Sequence, residues 1–131
     1  KKADTLKLKN IKFNQSPYSE MPELYSIAYA SIACLKNINV ANQMRLSKIF
    51  PSLSCEVPVI YSGKGEAATI ISSNNCGITV EPENPSELAK AILSVSENEN
   101  YKIELGKSGR NMVTKSYSWE TIINNWIKQL D

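Results

Sequence analysis

RLSKIFPSLSCEVPVIYSGKGE, residues 45–66, decides the fold. It reads as a short helix, a buried strand and a glycine-bearing turn that opens another helix. Ser47 is placed to cap the first helix, on which Ile49, Phe50 and Leu53 fall at helical spacing. Pro51 is tolerated there because it lies in the first turn. Val57–Tyr61 (VPVIY) is a nearly continuous apolar, β-branched run, as expected of a strand covered on both faces in a parallel sheet. Gly63 and Gly65 then allow a tight turn before Ala67, Ala68, Ile70 and Ile71 begin a helix. A strand end, a glycine turn and a helix N-terminus together present free backbone N–H groups at the carboxyl edge of a sheet, a place suited to an anion such as phosphate.

Outward from this stretch, helices and strands alternate. Towards the amino terminus, residues 1–8 read as the tail of a helix, Asn10–Phe13 (NIKF) as a short alternating strand, and Ser19–Pro22 as a helix start followed by the stripe Met21, Leu24, Tyr25, Ala28. Ala30–Leu35 (ASIACL) reads as a buried strand, and Lys36–Met44 as a loop. Beyond the glycine turn a helix runs to about Ser73, ended by Asn74, Asn75 and Gly77, and Ile78–Val80 is the next strand. Asn84-Pro85-Ser86-Glu87 carries a strong helix-start signal, with Leu88, Ala91, Ile92 and Val95 following at helical spacing. A further helix begins near Glu99 and carries Ile103, Met112 and Val113, with Gly106 and Gly109 weakening it. Ser118 caps a last helix with Trp119, Ile122, Ile123, Trp126, Ile127 and Leu130 on one face. The alternation implies βαβ units: an α/β fold, Rossmann-like and three-layered, with a parallel sheet of about four strands. The abrupt start on a helical Lys1 suggests a piece of something longer, truncated at its amino-terminal edge.

Composition narrows the function. In 131 residues, 42% hydrophobic content supports one domain with a real core. A formal charge of +2 without single-sign blocks gives no case for nucleic acid. Cys34, Cys55 and Cys76 are odd in number and far apart, which suits a reducing compartment. The absence of histidine speaks against a zinc site and against Ser-His-Asp or Cys-His catalysis. No apolar run approaches the ~18 residues of a membrane span.

The order NIKF, SEMPELYSIAYASIACL, LSKIFPSLSCEVPVI, GKGEAATIISSNNCGITVEPENPSELAKAI and YSWETI resembles the carboxyl-terminal domain of GT-B glycosyltransferases, nearest to the large retaining family 4-like group (group 1 glycosyltransferases). The resemblance implies a nucleotide-sugar donor, UDP- or GDP-linked, held without a metal or other cofactor. It also implies an amino-terminal acceptor domain, towards which residues 118–131 would pack, and without which the chain should be inactive. The activity implied is hexosyl transfer in polysaccharide or cell-surface glycan synthesis, in the cytoplasm or at the inner face of a membrane. It would put the nucleotide against Ser47 and Lys48, with Arg45 nearby, and the diphosphate or sugar near Gly63, Lys64, Gly65 and Glu66. The family commonly has two glutamates separated by seven residues, which here are Gln43 and Pro51, and Glu56 stands where glycine is usual. Those departures leave two alternatives: a non-catalytic module of the same fold, or another GT-B-shaped enzyme such as a nucleotide-sugar epimerase.

Overall fold

A computed structural model describes residues 2–44 and 46–130. Helix α1 (Lys2–Thr5) leads through an irregular segment and a 3-10 turn (Tyr18–Glu20) into α2 (Met21–Ser26). Then follow β1 (Ser31–Cys34), α3 (Asn39–Asn42), α4 (Ile49–Ser54), β2 (Val59–Ser62), α5 (Glu66–Ser73) and β3 (Gly77–Val80). Helices α6 (Pro85–Ser96) and α7 (Glu99–Met112), a π-helical turn (Val113–Tyr117) and α8 (Trp119–Ile127) complete the order. The three strands pair in parallel in the order β1-β2-β3, with Ser31 opposite Val59 and Val59 opposite Gly77.

β2 is central and buried along its length because each face has its own core. Val59 and Tyr61 face a cluster with Ile49 and Leu53 of α4, Ala67, Ile70 and Ile71 of α5, and Cys76, Met112 and Val113. Ile60 faces the opposite cluster of Ala91, Val95 and Leu105 from α6 and α7. Alternate side chains of one strand therefore feed two helix layers, and the architecture has three layers.

Helix starts follow local chemistry. Asn84 Oδ1 accepts the Glu87 N–H at 3.1 Å with Pro85 at the first helical position, and Ser118 Oγ accepts the Thr121 N–H at 3.1 Å. At α4 the cap differs from the expectation placed on Ser47. Lys48 occupies the N-cap without a side-chain cap bond, and Ser47 contributes its carbonyl to the Phe50 N–H at 3.2 Å. The chain enters α4 already in helical turn geometry, which leaves no extended residue for a serine cap.

Two strand expectations change as well. Asn10–Phe13 forms no strand: Ile11 and Phe13 are both exposed, so no packing stabilises a ladder there, and the sheet among the described residues has three strands rather than four. β1 is a strand but not a buried one. It pairs on one side with β2, and Ile32 on its outer face is 50% exposed because α6 packs over β2 and β3. The expected loop 36–44 contains the single turn of α3.

Helix α7 runs unbroken through Gly106 and Gly109. A Cβ at Gly106 would stand 2.1 Å from the Glu56 carbonyl oxygen, and at Gly109 2.6 Å from Leu53 Cδ2, so these glycines let α7 close onto the end of α4. α8 buries none of its residues; Trp119 is 79% and Trp126 63% exposed.

Candidate functional site

Parallel strands end at one edge, and the loops leaving that edge form the ligand-binding crevice of such sheets. From β2 the chain leaves through Gly63, Lys64 and Gly65 into α5. Gly65 caps α5 with φ of +83°, a left-handed conformation in which a side chain is strained. Its backbone lies so near α3 that a Cβ would be 1.9 Å from the Asn42 carbonyl oxygen. Tyr61 Oη donates to the Lys64 carbonyl at 3.2 Å and ties the turn to the buried ring beneath it; burial raises the Tyr61 phenol above its ordinary value. Glu66 is exposed in the first turn of α5, where its charge complements the helix dipole.

The structure thus brings the turn 63–66 against α3, which ends at Gln43, exposed at its C-cap. Ser47 and Lys48 are exposed at the entrance to α4, on the next segment of the same connection. Arg45 lies outside the described residues. Pro51 is the third residue of α4, where its missing N–H takes nothing from the helix. Its ring offers no acceptor, and neither does an amide at Gln43 supply a carboxylate. Glu56 adopts φ of +61° in the connection between α4 and β2, with an ion pair to Arg110 at 3.7 Å. That conformation explains physically why glycine suits the position.

Two recesses flank the end of β2. One, about 430 Å³, lies between the ends of β2 and β3 against α5, lined by Lys64, Thr69, Thr79, Glu81 and Glu87 beside the two glycines. Lys64 Nζ pairs with Glu81 Oε2 at 3.0 Å, and Glu87 Oε2 accepts the Glu81 N–H at 3.1 Å. The other, about 300 Å³, lies between the ends of β1 and β2 and the loop into α6, lined mainly by Leu35, Pro85 and Leu88 with Cys34, Lys36 and Asn84. Glu81 and Glu87 were missed as site residues by sequence reasoning, which took Glu87 for a helix-start residue. The signal that finds them is that the loop after Val80 leaves the same carboxyl edge as the glycine turn. Among the described residues no group of three potential ligands gathers to hold a metal ion, and no helix is long and apolar enough to cross a membrane.

A three-layer parallel sheet with a glycine turn at its carboxyl edge is the Rossmann-like architecture found in GT-B glycosyltransferases. Residues 1–112 match the family of glycosyl transferases group 1, and the chain belongs to that family. The chain is 31% identical over 71 residues to an uncharacterized glycosyltransferase of Methanocaldococcus jannaschii, a match over 54% of this chain and 20% of that protein. Its fold superimposes with a TM-score of 0.75 on sucrose-phosphate synthase from Thermosynechococcus elongatus, at 23% identity over 98% of this chain and 32% of that one. It superimposes equally, with a TM-score of 0.75 at 17% identity, on a variant of S. aureus TarM solved with fondaparinux, α-GlcNAc-glycerol and UDP, over 96% of this chain and 25% of that one. The chain therefore spans a fifth to a third of the length of these relatives.

Proposed function

We propose that this chain is the donor-binding domain of a retaining glycosyltransferase, which passes a hexose from UDP or GDP to a glycan or lipid-linked acceptor in cell-surface polysaccharide synthesis. The observation that carries the reading is the Gly63–Gly65 turn. It directs the N–H groups at the start of α5 to the carboxyl edge of the sheet and lies against Asn42 of α3, from which the chain runs on to Ser47 and Lys48. In this reading Lys48, Arg45 and the α5 N-terminus offset the diphosphate charge without a metal, and Lys64 and Glu66 stand near the sugar. Transfer then depends on stabilising the departing diphosphate and on positioning, for which no histidine base is required. All 131 residues act as one domain, α8 turns its apolar face to an amino-terminal acceptor domain, and the enzyme works in the cytoplasm or at the inner membrane face.

A second reading has its own observation. Pro51 in α4 and Gln43 beside the turn leave both family glutamate positions without a carboxylate, which favours a non-catalytic module kept for interaction. An amide NMR titration with UDP, GDP and their sugar conjugates separates the two. Saturable shifts at Lys48 and residues 63–66 with one nucleotide are expected; silence at millimolar ligand selects the second reading.

A further inference from the structure

Strand β2 carries one polar ring among aliphatic side chains. Val59, Ile60 and Tyr61 are all enclosed, yet only the tyrosine brings a hydroxyl that needs a partner inside the fold. A phenylalanine would fill nearly the same space without burying that group. The hydroxyl finds its partner three residues on, where Tyr61 Oη donates to the Lys64 carbonyl at 3.2 Å. Gly63 lies over the same ring, since a Cβ there would stand 2.6 Å from both Cζ and Oη of Tyr61. The glycine turn is therefore moulded on the phenol. The Lys64 ammonium contributes only an exposed ion pair with Glu81, which fixes the backbone little.

The Lys64 carbonyl and the Gly65 N–H belong to one planar trans peptide and point in opposite directions. With the carbonyl drawn down to the buried hydroxyl, the Gly65 N–H is turned away from the core. Gly65 then opens α5, its own carbonyl accepting the Thr69 N–H at 3.1 Å, so the first turn of the helix inherits the tilt of the peptide before it. On its other side Gly65 is stopped by the Asn42 carbonyl. A peptide held by Tyr61 and stopped by Asn42 has little freedom to tilt.

We infer that Tyr61 is a positioning residue, whose hydroxyl sets the direction in which the 64–65 peptide and the start of α5 present their N–H groups. Being enclosed, it acts through the turn and touches no ligand. This rests on the donor-binding reading above and adds to it a residue that works from inside the core.

The test compares wild type with Tyr61→Phe in the 131-residue chain. Amide NMR titrations with UDP and with GDP give affinities, nitrogen relaxation of the ligand-free proteins reports motion in the turn, and thermal melts report folding. The ring stays in place and exposed Lys64 can turn its carbonyl to water, so Tm should remain within about 5 °C of wild type. Expected are increased motions confined to Lys64, Gly65 and Glu66, and a loss of about three- to tenfold in affinity for whichever diphosphate the wild type binds. A role confined to core packing would lower Tm and leave affinity and turn motions unchanged, and that result overturns the inference. So does a turn that loosens without loss of affinity. A wild type that binds neither diphosphate removes the donor-binding reading and this inference with it, whereas wild-type binding matched by the variant overturns this inference alone.

Discussion

Gly65 stands against Asn42 so closely that a Cβ would come within 1.9 Å of the Asn42 carbonyl oxygen. Both partners are backbone, so neither can swing aside, and φ of +83° is itself unfavourable for a side chain. This contact sets the distance between the glycine turn and the segment after β1. Gly65→Ala is expected to destabilise the fold by about 2 kcal/mol or more, the combined effect of left-handed strain and a displaced α3. Urea unfolding measures it, and a variant within roughly 0.5 kcal/mol of wild type, the scatter of ordinary surface substitutions, would show that the contact is not made.

The two glycines of α7 separate a rigid contact from a yielding one. Alanine in a helix interior gains about 1 kcal/mol over glycine if space allows. At Gly106 the new methyl meets the Glu56 carbonyl at 2.1 Å and must push α7 off the connection between α4 and β2. At Gly109 it meets Leu53 Cδ2 at 2.6 Å, the far end of a side chain that can rotate. Gly106→Ala is therefore expected to cost about 1–3 kcal/mol net, while Gly109→Ala falls within about 1 kcal/mol of wild type. Equal effects in parallel denaturation curves would contradict this reading of the interface.

Glu56 is a non-glycine residue in left-handed geometry, held near Arg110 at 3.7 Å across the surface. Relief of the left-handed strain is worth about 1–2 kcal/mol, and the lost exposed ion pair about 0–1 kcal/mol. Glu56→Gly is expected to match or exceed wild-type stability by up to about 2 kcal/mol. Glu56→Ala keeps the strain and loses the pair, so it should fall slightly below wild type. The ordering of the two variants in chemical denaturation is the check.

How much of this was legible in the sequence follows from what each signal depends on. Residues 57–66 were readable because strand, turn and helix start are each encoded locally, by the VPVIY run and by Gly63 and Gly65. Asn84-Pro85 and Ser118 were readable for the same reason, since a cap needs only its own next turn. The false strand at Asn10–Phe13 and the half-exposed β1 depend on neighbours, and alternation along a segment says nothing of whether a partner edge or a covering helix exists. The role of Gly106 was hidden because its reason is the carbonyl of Glu56, fifty positions away in sequence by the numbering alone. At the site, the turn was visible, but Glu81 and Glu87 join it only once β3 is laid beside β2.

The cysteines give a prediction that depends on pH. Cys76 is fully enclosed in the core beside α5, its Sγ donating to the Ile71 carbonyl at 3.6 Å, and burial pushes its thiol up to about 11 from an ordinary 9.0. The folded state therefore holds this proton more tightly than the unfolded chain does. Its contribution to stability is full below pH 9 and is lost as pH rises through about 11, since deprotonation occurs first in the unfolded chain. Tyr61 and Tyr25, both raised chiefly by burial, act in the same direction above their ordinary value of 10.0. Unfolding free energy should thus fall between pH 9 and pH 11, less steeply in Cys76→Ala, with a remaining slope from these phenols and from Tyr29, which is raised chiefly by its hydrogen bond to Glu99. Alkylation by iodoacetamide at pH 8 supplies an independent reading by mass spectrometry of tryptic peptides. Cys34 is exposed and is expected to be modified in the native protein, whereas Cys76 should react only after denaturation. Rapid modification of Cys76 under native conditions would show that the α5 side of the core opens far more readily than its packing implies.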